Sequence, residues 1–397
     1  MISFALATAS DVVIWAARRA MGAAANPMPR PAEAAEWNRV VDFAGRNGVI
    51  PLAAGTLRGD DSVPFAVRRD LDKRHLAGAG WNAILAREML GILADFRSAG
   101  IDVLAYKGPA LAMLAYGDLA ARHASSDIDL LLRRSALARA GEALRERGYR
   151  SSLSAAEERH FLRHRYHLHF RRRSPDVQVE LHWALTPSYW SFPLDCWRHA
   201  KTVVVSGSPV PTLDPEGALL ALCAHGAKEG WPRLIQILDV GQLIVRHPQL
   251  DWDRVFHSAE RMRRQRILRL GLLLANQCIG APLPRLALSE VGKEPDLEPL
   301  AQRLERNLGQ GFFAKGFHEY ALKVWNRPLD RLRYVAYELG ELPGRVRDLA
   351  APSQEDRKAV ELRGPFAALY PVIRPFRALR QHGLRHVVRQ VRGNLWT

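Results

Sequence analysis

The chain has 397 residues, of which 48% are hydrophobic and 25% charged, and it reads as a soluble globular protein of two or three domains. Lys and Arg outnumber Asp and Glu by 57 to 41, and the net charge of +16 favours polyanionic partners: nucleotides first, then nucleic acid or an anionic membrane surface. Cys196, Cys223 and Cys278 are too scattered for a disulfide framework or a Cys-x-x-Cys zinc site, Asp11 interrupts the first apolar run as no signal peptide would, and no stretch approaches 18 uncharged apolar residues, so a cytoplasmic protein without a spanning helix is expected.

Residues 1–99 read as helical. Asp11–Met21 is amphipathic, with Ser10 or Asp11 as its cap. Glu36–Asn47, Pro51–Leu57 and Pro64–Gly78 follow as further helices. Ala77–Ser98 carries Trp81, Ile84, Leu85, Leu90, Leu93 and Phe96 at helical spacing and stops at Gly100. That stripe reads as core.

Residues 100–213 hold the chemistry. Val103–Tyr106 is a short apolar strand that breaks at Lys107-Gly108-Pro109, and Ala110–Tyr116 resumes as a helix. Gly108 lets a ligand approach the backbone, Pro109 suits a helix start, and the free N–H groups there, with Lys107 as a point charge, can seat a phosphate. A polar connector with Arg122 leads to Asp127-Ile128-Asp129-Leu130-Leu131-Leu132. On a strand, Ile128, Leu130 and Leu132 face a core, while Asp127 and Asp129 share the other face, roughly 7 Å apart at Cα. Two carboxylates so close favour a hard cation such as Mg²⁺, with Mn²⁺ as the alternative; as a bare pair they also suit a solvated strand end.

Ser135–Arg147 is a helix ended by Gly148, and Tyr149–Leu153 a short strand. Glu157–Arg173 contains His160, His164, His167 and His169. Tyr166–Phe170 alternates, so a strand with His167 and His169 on one side is the simpler reading beside a zinc site. Val177–Trp183 also alternates, with Gln178, Glu180 and His182 on the polar side. If this strand neighbours the one carrying Asp127, Glu180 completes a three-carboxylate set on an open face, the layout for metal-assisted attack on a phosphate. His182 either touches acceptor or phosphate, or is structural. Thr202–Val205 and Val210–Leu213 are two strands around Gly207-Ser208-Pro209.

Asp214-Pro215-Glu216 caps a helix running to about Glu229, with His225 and Lys228 on one face. Pro232–Arg246 carries Asp239, and Asp251–Gly280 continues as helices. Lys228 can pair with a triphosphate and Asp239 can fix Lys228 or His225; a polar network inside a helix hairpin is the other reading. Pro282–Pro299 reads as a linker, Leu300–Arg347 as helical, and Pro365–Thr397 as an arginine-rich tail that docks on the body or lies on an anionic membrane or nucleic acid.

Lys-Gly, an apolar helix ending in Tyr-Gly, an Arg, Asp-Ile-Asp-Leu-Leu, Gly-Tyr and Val-Glu-Leu-His-Trp, in that order, resemble the uncharacterised nucleotidyltransferase family of the DNA-polymerase-β-like superfamily over about Trp81 to Pro284. The resemblance implies that Asp127 and Asp129 are the metal-binding pair and Glu180 the third carboxylate. It matches Arg122 and Ser126 to the polar residues before that pair, and His225, Lys228, Trp231 and Asp239 to positions in the helical half. Lys107-Gly108-Pro109 replaces the superfamily's usual Gly-Gly or Gly-Ser turn, which removes a phosphate-binding serine. The expected fold is α+β: a small mixed sheet at 100–213, helices at 1–99, a helical domain at 214–284 that closes the cleft, and a basic helical extension at 285–397. The expected activity is Mg²⁺-dependent transfer of a nucleoside monophosphate from an NTP, ATP first, to a hydroxyl of a small molecule, peptide or protein. An inactive nucleotide- or partner-binding module on the same scaffold is the alternative.

Overall fold

The computed structural model describes residues 8–23, 27–31, 33–153, 157–158, 161–162, 165–309, 317–325 and 327–337. The chain divides into two compact units, 1–310 and 311–397. The first opens with helices α1 (Ala9–Ala20), α2 (Ala34–Arg46), α3 (Ile50–Leu57) and α4 (Phe65–Ser98). The cap of α1 is Thr8, two or three residues earlier than the sequence suggested. Its side chain accepts from the Asp11 N–H while the Asp11 carboxylate accepts from the Thr8 N–H, so Asp11 closes the capping box from the third helical position.

Pro64–Gly78 and Ala77–Ser98 are a single helix, not two. The sequence reading ended one helix at Gly78, but a helical glycine costs only about 1 kcal/mol relative to alanine, and the helix runs on through Gly78 and Gly80. Side chains on both sides of them tie the helix to the connector that precedes Asp127: His75 Nε2 lies 3.1 Å from the Ala120 carbonyl, and Trp81 Nε1 donates to the Ser125 carbonyl at 3.0 Å. Trp81 is thus a half-buried hydrogen-bond donor rather than pure core. The buried stripe is Leu85, Met89, Ile92, Leu93 and Phe96.

The sheet has four strands: β1 (Val103–Ala105), β2 (Asp127–Leu132), β3 (His167–Arg173) and β4 (Asp176–His182), in the order β1-β2-β4-β3. It is mixed, as the α+β reading requires: β2 runs antiparallel to β1 and parallel to β4, and β3 and β4 form an antiparallel hairpin. Tyr149–Leu153 contributes a single bridge, Arg150 to Arg171, in place of the expected strand. Ile128, Leu130, Leu132, Val177, Val179, Leu181, Leu168 and Phe170 form one apolar face against α4 and helix α6 (Leu137–Glu146), which carries Leu137, Ala140 and Leu144 inward. Each fully buried large apolar side chain there contributes about 1.5–3 kcal/mol. Between β1 and β2, helix α5 (Gly108–Leu111) widens into a π-turn, Ala112–Tyr116, that ends at Gly117.

A separate hairpin, β5 (Lys201–Val205) and β6 (Ser208–Thr212), leads into α7 (Pro215–Glu229), capped by Asp214 as read from the sequence. Helices α8 (Leu234–Arg246), α9 (Trp252–Arg261) and α10 (Gln265–Ile279) follow. Helices α7 and α10 approach closely because Gly271 of α10 lacks a Cβ; one built there would stand 2.5 Å from the Cys223 Sγ of α7. The stretch Pro282–Pro299 is not a linker. It forms α11 (Arg285–Gly292) and the start of α12 (Glu298–Arg306), its prolines lying before or within first helical turns, where a missing N–H costs nothing. Arg266 and Arg269 on α10 hold it through Glu290, Glu294 and Asp296.

In the second unit, α13 (Phe317–Val324) and residues 328–337 are helical. The rest of the predicted helical stretch to Arg347 and the arginine-rich tail lie outside the described residues, as do His160 and His164. Among the described residues, no helix is long and apolar enough to cross a membrane.

Candidate active site

The polar face of the sheet builds the site. Beta-2 and β4 are paired in register, with Asp129 opposite Glu180, Asp127 opposite Gln178 and Leu131 opposite His182. Alternation therefore brings Asp127, Asp129, Glu180 and His182 to one face. On the far side of β4, His167 faces His182 and His169 faces Glu180. Asp127, Asp129, His167, Glu180 and His182 line a cavity of about 400 Å³, within the range of small-molecule sites. Its opposite wall comes from α7 and the start of α8: His225, Lys228, Glu229 and Arg233.

The face is not open, as the sequence reading assumed; Asp129 is 2% exposed. Lys107 Nζ donates to Asp129 Oδ1 at 3.0 Å, and His182 Nε2 lies 2.9 Å from the same oxygen and 3.0 Å from Glu180 Oε2. Asp129 Oδ2 is buried without a hydrogen-bond partner. Burial pushes the Asp129 carboxyl up, but Lys107 and His182 outweigh it and hold the group well below the usual range. Burial likewise opposes ionisation of Glu180, and hydrogen bonds from His169 and His182 overcome it. Burial lowers the His182 imidazole, yet the hydrogen bonds to Asp129 and Glu180 raise it overall. In Asp127 burial and the neighbouring Asp129 outweigh Lys107 and the Ser125 hydrogen bond and push the carboxyl up to about 6. Three hard oxygen donors in surplus over one lysine, one of them with an unpartnered buried oxygen, fit a hard divalent cation.

Several predicted contacts differ in the structure. Lys107 is committed to Asp129 rather than free in the turn. Gly108 has φ +54°, and Asp127 O would lie 3.5 Å from a Cβ placed there, so the turn abuts the start of β2. Arg122 lines the cavity, but its guanidinium is locked in a two-pronged pair with Asp239 at 2.9 and 2.8 Å. Asp239 also accepts from the Tyr116 hydroxyl at 2.7 Å, and so fixes Arg122 rather than Lys228 or His225. Lys228 donates to the Tyr166 hydroxyl at 3.0 Å, and His225 Nε2 lies 3.4 Å from Glu229 Oε1. Ser126 is exposed on the cavity rim; its neighbour Ser125 is the one that donates to Asp127, at 2.9 Å. Sequence reasoning missed Ser125, Glu229 and Arg233. The polar run before the aspartates pointed to the first, but which serine turns inward depends on a loop that Asn82 pins through the Leu119 and Arg122 carbonyls.

No curated protein and no solved structure matches the chain. Residues 33–280 match the family described as uncharacterised nucleotidyltransferase, a span that begins well before Trp81 and takes in α2 to α10. Because that match covers more than half of the sequence, the chain belongs to the uncharacterised nucleotidyltransferase family.

Proposed function

We propose that the protein is a magnesium-dependent nucleotidyltransferase that moves a nucleoside monophosphate from an NTP to an acceptor hydroxyl. The observation that carries this reading is the register of β2 against β4, which sets Glu180 beside Asp129 and leaves Asp129 Oδ2 unpartnered. Asp127, Asp129 and Glu180 would hold the cation. When bound, the ion supplies charge neutralisation on the triphosphate and polarises the transferred phosphoryl group. The acceptor oxygen forms a bond to the α-phosphorus, the bond to the pyrophosphate oxygen breaks, and the hydroxyl proton passes to a base or solvent.

The residues around the carboxylates divide the remaining work. Lys107 keeps Asp129 ionised at neutral pH and lies close enough to the turn at Gly108 to face a phosphate. Lys228 and Arg233, from the opposite wall, supply positive charge for the β- and γ-phosphates. Glu180, held strongly acidic by two histidines, is a poor proton acceptor and suits a cation ligand better than a general base. Arg122 acts by positioning: its pair with Asp239 joins the connector before β2 to α8. His182 sets the two carboxylates it touches.

Incubation of the chain with each labelled NTP, Mg²⁺ and a metabolite extract, read by mass spectrometry, should reveal nucleotide mass on an acceptor and released pyrophosphate. Asp127→Ala and Asp129→Ala should lose this turnover by about 1,000-fold or more, as removal of several kcal/mol of transition-state stabilisation requires. Nucleotide binding equal in wild type and variants, with no turnover in any, would show a binding module instead.

A further inference from the structure

The hairpin β3–β4 places His167, which has no part in the proposed transfer, beside Glu180 and His182. His167 stands directly across the ladder from His182, where side chains of an antiparallel pair are near neighbours. One donor atom each from His167, Glu180 and His182 lies within 4.8 Å of the others. Their rings and carboxylate meet at the floor of the cavity. His182 Nε2 faces carboxylate oxygens of both Asp129 and Glu180 at 2.9 and 3.0 Å. A nitrogen lone pair cannot stand against two carboxylates unless a proton or a metal ion lies between them. His167 Nδ1 and His182 Nδ1 are both buried without a hydrogen-bond partner. A buried polar atom left so costs about 1–3 kcal/mol, and coordination through His167 Nδ1, with His182 bound through Nε2, would remove that cost for His167.

We propose that His167, Glu180 and His182 form a second cation site, selective for a transition-metal dication of the zinc or cobalt class and sharing Glu180 with the carboxylate pocket. Two imidazoles and one carboxylate are the ligand set of open zinc sites, which keep a fourth position for water or substrate. Imidazole favours zinc-class ions, whereas magnesium prefers oxygen donors and retains its water. The ligands within 4.8 Å close to zinc-ligand spacing with small ring movements, because bonds of about 2.0–2.1 Å place tetrahedral neighbours roughly 3.3 Å apart. All three line the cavity, from which a fourth ligand can reach the ion. The site does not depend on the transfer reaction, since His167 and His182 would bind the ion whether or not Asp127 and Asp129 support turnover.

The full chain, stripped with EDTA and titrated with Co²⁺ against a large excess of Mg²⁺ that fills the carboxylate pocket, should take up about one equivalent with a visible ligand-field band, which Zn²⁺ displaces and further Mg²⁺ does not. His167→Ala should weaken that binding by about 100-fold or more, while Asp127→Asn leaves it unchanged. Pulsed electron paramagnetic resonance of the Cu²⁺-loaded wild type should show two coordinated imidazoles, which tests the ligands without any variant. Displacement by Mg²⁺, cobalt binding unaltered in folded His167→Ala, or a copper spectrum without imidazole nitrogen would each overturn the proposal.

Discussion

Two buried clusters of acid and base lie in the same unit and settle their charge in opposite ways. Between α8 and the connector before β2, Asp239 meets Arg122 and Tyr116, and both of its oxygens accept hydrogen bonds. The charges balance and no oxygen is left over. On the sheet, three carboxylates share one lysine and two histidines, His169 and His182; Asp129 Oδ1 takes two contacts while Oδ2 takes none. A balanced, fully bonded pair is framework. A carboxylate surplus held out of water is unfavourable for the fold alone and has a physical rationale only if a cation is to bind there.

The largest expected effect tests that division on stability. Arg122→Ala leaves Asp239 buried and charged, and should lower unfolding free energy by about 3–5 kcal/mol in urea titrations. Asp127→Asn removes a repelling charge and should leave the stability of the metal-free protein unchanged or raised. An equal loss in both would erase the difference between the clusters. Replacing the pair together, with Arg122→Met and Asp239→Leu, should cost less than Arg122→Ala alone.

The next effect concerns pH. Asp127 sits at about 6 in the folded chain, above its ordinary 3.8, so the fold holds this proton more tightly than the unfolded chain does. Its stabilising contribution is complete below the ordinary value and is lost as pH rises through about 6. Cation binding has the opposite sign, because the proton competes with the ion. Mg²⁺ or Mn²⁺ affinity, followed by calorimetry, should fall about tenfold for each pH unit below 6 and level off above it. An affinity flat from about pH 5 to about pH 7 would remove Asp127 from the ligand set.

The smallest effect separates backbone shape from charge. Gly108→Ala places a side chain at φ +54° and should cost about 1–2 kcal/mol in thermal unfolding, because the left-handed region is unfavourable for L-residues. Nearest contacts of 3.5 Å leave room for the methyl group itself. Gly108→Asn should cost less, since asparagine tolerates this region.

The local rules of the chain were enough to place most of the face. Alternation in Asp127–Leu132 and Val177–Trp183 separates core residues from carboxylates without reference to anything distant. The Asp214 cap and the helix after it were equally legible, because capping is settled within four residues. The division of α4 at Gly78 was wrong because propensity is a small term that tertiary hydrogen bonds override. The prolines of 282–299 misled because only their position within a turn distinguishes a helix start from a linker.

What the sequence by itself determined is which side chains share a face, since strand and helix periods are properties of a few consecutive residues. Which charges meet was decided only by the tertiary structure. Arg122 and Asp239 are 117 residues apart, and Lys107 and Asp129 are 22 apart across a turn. Coulomb and hydrogen-bond energies depend on separation in space and on burial, and both are set by strand register and helix packing rather than by spacing along the chain.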